Sequence, residues 1–252
     1  MTKDSTLAQP NKPRRLRHDK GSVKATPRDT ILLTWIGEMY AARFDQVVDL
    51  AARYPGPGVS PSGLSESAVR QVVDRWRRAG WIGYQQFLAN EPPWLWLTRA
   101  GLAAYDLTGY KPIPPAISRL RHIHAVNTVR LRIECDARTW ISERAIRAGL
   151  YSAPQRERDT RPIPDGIVCT EDGDVAVEVE LTQKKPDDLF HKMESLLFAH
   201  NPYTHQPAYA VIWYYTPDER IKKALEMARE AHAKDRSVGR RADAVQIMLA
   251  KI

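Results

Sequence analysis

Asp165, Glu178 and Glu180 carry the sharpest chemistry in the sequence. Asp165 opens an apolar run, Pro164-Asp-Gly-Ile-Val-Cys169. Both glutamates lie in a run where Val175, Val177, Val179 and Leu181 alternate with Ala176, Glu178 and Glu180. Strand periodicity of two sends both glutamates out of one face. Between the runs, Glu171-Asp-Gly-Asp174 reads as an Asp-Gly hairpin turn, which brings Asp165 beside the pair. Three close carboxylates repel one another unless a cation lies between them. Hard oxygen ligands suit Mg²⁺ or Mn²⁺. Such an ion polarises a phosphate and activates a water for phosphodiester hydrolysis.

A second set of residues suits nucleic acid. Ser65 is an N-cap residue, and Val69, Val72, Val73 and Trp76 repeat at helical spacing, with Gly80 where a left-handed helix end is wanted. The opposite face holds Ser67, Arg70, Gln71, Asp74, Arg75, Arg77 and Arg78. Long donors such as these reach base edges and phosphates. Arg70, Gln71 and Arg75 are the expected base readers, and Arg77 and Arg78 the expected phosphate contacts. The formal net charge of +8 suits a polyanionic partner. Residues 1–27 read as a disordered basic arm, with Arg14, Arg15 and Arg17 available to phosphates; a solvated tail without a role is the alternative.

The elements that must position these groups follow from hydrophobic period and breakers. A helix is expected from Arg28 to Ala42, then a short one with Phe44, Val47, Val48 and Ala51 inward, ending before Pro55-Gly-Pro-Gly58. The basic helix follows, then strands at Trp81–Leu88 and Trp94–Leu97, and a Thr98-capped helix containing Leu102, Ala103 and Leu107. Two helices, a basic third helix, a ribbon and a closing helix define a winged helix-turn-helix over 28–108, docking double-stranded DNA through its third helix and laying its ribbon along the backbone. Residues 109–116 read as a stiff proline-rich linker. Beyond it, a helix from Ile117 to about Cys135 precedes a short strand at Thr139–Ile141. Next come the two runs around Asp165 and Glu178, a helix from Pro186 to about Ala199, and an apolar strand at Ala208–Tyr215. A helix at Asp218–Lys234 and a last strand or docking segment at Ala244–Leu249 close the chain. The chain is thus α/β overall, with an αβββαβ layer over 117–252.

Two resemblances rest on these motifs. Ala79-Gly-Trp-Ile82 followed by Leu97-Thr-Arg-Ala-Gly-Leu102 resembles many winged-helix proteins. Pro164-Asp165-Gly166 and Glu178-Val-Glu180, in that element order, resemble the PD-(D/E)xK nuclease superfamily of restriction-endonuclease-like folds. That resemblance implies Asp165 and Glu178 as metal ligands and Glu143 as an accessory acid. It also implies a water-orienting lysine at position 180, where this chain has a glutamate. Lys184, Lys185 or Lys192 would have to supply the amine. Taken together with Arg121-His-Ile-His-Ala-Val-Asn127, Trp140-Ile-Ser-Glu143 and Val177-Glu-Val-Glu-Leu-Thr182, the chain resembles the replication-relaxation family of plasmids and integrative elements over about residues 28–215. The resemblance implies a role in replication or mobilisation of a mobile element.

Two readings stay open. One is a sequence-specific DNA-binding protein with a degenerate nuclease-like domain that forms a homodimer or recruits a replication or transfer protein; control of transcription would use the same surface. The other is an Mg²⁺-dependent endonuclease targeted by its winged helix, with Asp165, Glu178, Glu180 and Lys184 at the reacting centre. Other classes lack support. His122 and His124 have no partner spacing for a metal and are assigned hydrogen-bonding or surface roles. The glycines form no phosphate-cradling loop. Tyr203, Tyr209, Tyr214 and Tyr215 read as core or sheet aromatics, and Cys135 and Cys169 as thiols of a reducing compartment. With no signal segment or membrane span, a bacterial cytoplasmic, nucleoid-associated protein is expected.

Overall fold

The computed structural model describes residues 24–54, 64–133, 140–151, 163–200, 206–234 and 239–252. The basic arm with Arg14, Arg15 and Arg17, the Pro55–Gly58 breaker, Cys135 and Tyr203 lie outside the described residues.

The chain begins with α1 (Pro27–Glu38), started by a reciprocal cap in which Asp29 N–H donates to Thr26 Oγ1 and Thr26 N–H donates to Asp29 Oδ2. The expected helix to Ala42 stops early. Tyr40 takes φ 68°, and Ala42–Arg43 form β1 instead, pairing with Leu95 and Trp94. Tertiary strand pairing overrides helical spacing there. The next helices are α2 (Phe44–Arg53) and α3 (Glu66–Arg78). Gly80, at φ 72°, closes α3: its N–H donates to the Arg77 carbonyl and the Trp81 N–H to the Trp76 carbonyl. β2 (Ile82–Gln85) and β3 (Trp94–Leu97) form an antiparallel ribbon, shorter at its first strand than the Trp81–Leu88 expected, and the small sheet has the order β1-β3-β2. Thr98 caps α4 (Arg99–Ala104), which stops before Leu107.

A 3₁₀ turn (Ile117–Arg119) leads into α5 (Leu120–Ile133), then β4 (Trp140–Ser142), α6 (Glu143–Arg147), β5 (Gly166–Thr170), β6 (Gly173–Val179), α7 (Pro186–Leu197), β7 (Val211–Thr216), α8 (Glu219–Lys234), α9 (Gly239–Ala242) and β8 (Val245–Leu249). The sheet is mixed, with the order β4-β5-β6-β7-β8; β4, β5 and β6 run antiparallel, while β6, β7 and β8 run parallel. The molecule is therefore mixed α/β, and β8 settles the last segment as a fifth strand. The β5–β6 hairpin turns through Glu171-Asp172, and Gly173, at φ 116°, opens β6.

Each face of the five-stranded sheet is covered. Ala176, Ile212, Tyr214 and Val245 meet Leu189, Met193 and Leu196 of α7 and Ile221 and Leu225 of α8. On the other face Val168, Val175, Val177 and Val179 meet Val126 and Val129 of α5, and that core runs on without a break into Leu32, Leu33, Trp76 and Leu95 of the N-terminal half. Segment 109–116 joins the halves without holding them apart: Tyr110 is buried in the shared core. Buried polar contacts fasten the junction. Asn127 Nδ2 donates to the Ala41 carbonyl (2.9 Å) and Gln46 Oε1 (3.0 Å), and Gln46 Nε2 donates to the His124 carbonyl (2.8 Å). Arg144 donates to the carbonyls of Gly37 and Lys111, and Arg130 pairs with Glu38. No helix among the described residues is long and apolar enough to cross a membrane.

Candidate functional site

The amphipathic pattern of α3 sets its two faces. Val69, Val72, Val73 and Trp76 are buried, whereas Ser67, Arg70, Gln71, Asp74, Arg77 and Arg78 are exposed. The exposed arginines are held in place. The Arg70 guanidinium lies 4.8 Å from the centroid of the Phe44 ring and pairs with Glu66 at 2.6 Å. Arg77 lies 4.6 Å from the centroid of the Tyr84 ring and pairs with Asp74, and Arg78 Nε donates to the Asp74 carbonyl. Stacking on a ring stiffens a guanidinium while leaving its donors outward. Asp74, Arg77, Arg78 and Ile82 line an open concavity of about 670 Å³. The main packing partners of α3 among the described residues are α2 and β2, both in its own half.

Arg75 departs from the expected set. It turns back to Asp29, with Nη2 2.5 Å from Oδ1, and Trp76 Nε1 donates to the same oxygen at 2.9 Å. Asp29 is fully buried, so Arg75 neutralises a core carboxylate instead of projecting from the outer face of α3. Sequence reasoning missed Asp29. Its one visible signal was the Thr26-x-x-Asp29 capping spacing, which says nothing of a partner 46 residues away. The ribbon is also partly covered: Trp94 packs with Leu120 and Ile123 of α5, and Phe87 and Trp96 lie against that group.

The sheet assembles the second cluster as the alternation requires. Extending the β5–β6 register places Asp165 opposite Glu178, and Glu178 and Glu180 are both buried. Each acid already has a partner. Glu178 Oε2 is 2.5 Å from Lys192 Nζ of α7, and Glu180 Oε2 is 2.5 Å from Lys184 Nζ. Asp165 Oδ1 is 2.9 Å from His122 Nε2, while Oδ2 accepts the Val179 N–H. Of the four oxygens of Asp165 and Glu178, only Glu178 Oε1 is buried without a hydrogen-bond partner. His122 therefore has the hydrogen-bonding role expected of it. Lys185 is the N-cap of α7, with no cap bond from its side chain.

The electrostatics follow from burial and neighbours. Burial and the Asp165 charge push the Glu178 carboxyl up to about 8, against the pull of Lys192. Burial opposes charge on Lys192, but Glu178 and Asp165 outweigh it and raise its pKa. Burial also opposes ionisation of Asp165, yet the His122 hydrogen bond, with the charges of His122 and Lys192, holds it below the usual carboxylate range. His122 in turn is lifted above its ordinary value, burial being outweighed by Asp165 and Glu178. The raised Glu178 and lowered Asp165 mean that the two adjacent acids titrate apart, with the Lys192 ammonium against the pair.

The implied divalent ion fits this arrangement poorly. Lys192 occupies the counter-ion place at Glu178, and His122 and a backbone amide take both oxygens of Asp165. Among the described residues, no group of three or more His, Cys, Asp or Glu side chains is placed to hold a metal ion. Glu143, expected as an accessory acid, is bound by Arg119 and Arg147 and sits with Tyr40, His122 and Asp165 around a cavity of about 20 Å³. That volume is about one water's worth of space. In comparisons with known proteins, no family model matches the chain, and no curated protein or solved structure matches it either.

Proposed function

We propose that this protein binds double-stranded DNA sequence-specifically through α3, with residues 28–108 acting as a winged helix-turn-helix. The observation that carries the reading is the outward face of α3. Arg70, Gln71 and Arg77 are exposed, two of the arginines are braced on aromatic rings, and the main packing of the helix among the described residues is within its own half of the chain. The element order α1-β1-α2-α3-β2-β3 is the one in which a third helix enters the major groove and a ribbon flanks it. Arg70 and Gln71 read base edges, and Ser67, Arg77 and Arg78, with the arm residues Arg14, Arg15 and Arg17, hold phosphates. The role at a plasmid or integrative element, whether replication, mobilisation or transcription control, follows the family resemblance and is part of the same proposal. The α/β half, a nuclease-like layer in this reading, serves as a scaffold whose acids are neutralised from within.

The second reading, an Mg²⁺- or Mn²⁺-dependent endonuclease, draws on one feature: Asp165 and Glu178 stand opposite each other with an amine at 2.5 Å. One experiment tests both. Duplexes that bind the full chain are selected from a random pool, once with EDTA and once with Mg²⁺. The expected result is one enriched motif in both arms, intact DNA, and affinity that falls linearly in log–log against salt. Failure to enrich any motif overturns the first reading. Cleavage in the Mg²⁺ arm that disappears in Asp165→Ala establishes the second.

A further inference from the structure

β8 ends the five-stranded sheet, and no described strand lies along its outer edge. Natural sheets guard such edges with charge, proline or a bulge. The strand reads Val245-Gln-Ile-Met-Leu249, with neither charge nor proline, and Leu249 is 46% exposed. The register fixes which backbone groups look outward. Ile212 N–H donates to the Ala244 carbonyl and Ala250 N–H to the Thr216 carbonyl, so the even-numbered residues face β7. By alternation, the amides and carbonyls of Val245, Ile247 and Leu249 face away from the sheet. Arg229 Nη1 approaches one of them, the Val245 carbonyl, at 3.4 Å.

The sequence around this edge complements itself when reversed about Ile247. Val245 meets Leu249, Gln246 meets Met248, Ala244 meets Ala250, and Asp243 meets Lys251. Both charged residues are exposed. Ile247 is itself an outward-facing residue, so a two-fold axis there falls on a hydrogen-bonded pair, as antiparallel pairing requires. We propose that β8 pairs antiparallel with β8 of a second copy of this chain, centred on Ile247. The two sheets then form one, and an Asp243–Lys251 ion pair closes each end. The occupant is a second copy because the opposite charges fall four residues to either side of the axis and meet only in that alignment. Leu249 gains Val245 of the partner subunit as its neighbour across the strands. The inference does not depend on DNA recognition.

The test is sedimentation equilibrium of the full chain across the micromolar range, with circular dichroism to verify folding. The wild-type chain is expected to dimerise. Asp243→Lys and Lys251→Asp each turn two attractive pairs into two repulsive ones and should each raise the dimer dissociation constant about tenfold or more. An equimolar mixture of these two variants should recover the wild-type affinity, because each then meets opposite charges. The double variant Asp243→Lys/Lys251→Asp should recover it alone. Leu249→Lys should weaken the dimer in every background. A wild-type chain that stays monomeric overturns the proposal and leaves the edge to a strand of another protein. A dimer indifferent to these charge reversals overturns it as well, by placing the contact elsewhere.

Discussion

Arg70 and Arg75 lie on the same helix five residues apart, and replacing each with alanine separates reading from folding. Among the described residues Arg75 is the ionic partner of Asp29, which is fully buried, and its own side chain is 29% exposed. Removing one member of a buried pair costs roughly 3–5 kcal/mol. Asp29 keeps the Trp76 Nε1 and Thr26 N–H bonds, and Arg75 is partly solvated, so about 3 kcal/mol is expected for Arg75→Ala. In a chain of this size that lowers Tm by roughly 6–12 °C. Arg70 and Glu66 are 56% and 60% exposed, so their pair and the Phe44 contact together contribute at most about 1 kcal/mol, and Arg70→Ala should melt within a few degrees of wild type. Binding should sort the two variants the opposite way. In competition assays with the selected duplex and its single-base variants, Arg70→Ala loses about 1–3 kcal/mol of discrimination at one base pair. Arg75→Ala keeps its discrimination at a temperature where it is folded. The reasoning fails if Arg75→Ala melts like wild type while discrimination is lost, or if Arg70→Ala leaves the base preferences untouched.

The acid cluster predicts a stability profile against pH. The folded state holds the Glu178 proton to about pH 8, against 4.5 for an ordinary glutamate, so stability should fall as pH rises through that interval. The bound on that fall is about 5 kcal/mol at about 1.4 kcal/mol per pH unit. The raised His122 pKa acts in the same direction, its contribution being lost as pH climbs through the folded value, whereas the depressed Asp165 contributes above its ordinary pKa and loses that contribution as pH falls below it. Urea titrations from pH 4 to 9 should therefore show stability declining between about pH 4.5 and 8, a decline that Glu178→Gln flattens; an unchanged decline would place Glu178's proton elsewhere. The shared core predicts a single unfolding transition for both halves by calorimetry, and two separated transitions would contradict it.

Much of the fold was legible because it rests on local rules. Ser65, Gly80 and Thr98 mark helix ends through backbone chemistry that needs no tertiary partner, and each lies where the reading put it. The alternation Val175 to Leu181 likewise fixed which side the glutamates take. The errors arose where distant groups decide. Helical spacing continued through Tyr40 and Ala42, but pairing with β3 made a strand. Arg75 carried the pattern of a surface arginine, yet a carboxylate 46 residues earlier claimed it. At Glu178, periodicity placed one acid beside another without saying that they are buried or what cancels the charge. Lys192, 14 residues on, was one of three lysines open to that part, and the packing of α7 on the sheet selected it.

The junction gives these separate features a common consequence. α5 holds the N-terminal half through Asn127, Arg130 and the His124 carbonyl, and on the same helix His122 holds Asp165 at the mouth of the acid cluster. Buried polar contacts of this kind tolerate few alternative alignments, because sliding one half over the other strands several donors at once. The outward face of α3 is thus fixed in orientation relative to β8. A flexible tether would let two such faces reach half-sites at many separations. A rigid body whose copies join edge to edge at β8 sets one separation, and a groove is presented on the same side of the duplex only at whole helical turns. In the two-fold arrangement proposed for this chain, spacing discrimination would come from the shared core and the β8 edge, and base discrimination from the proposed readers Arg70 and Gln71.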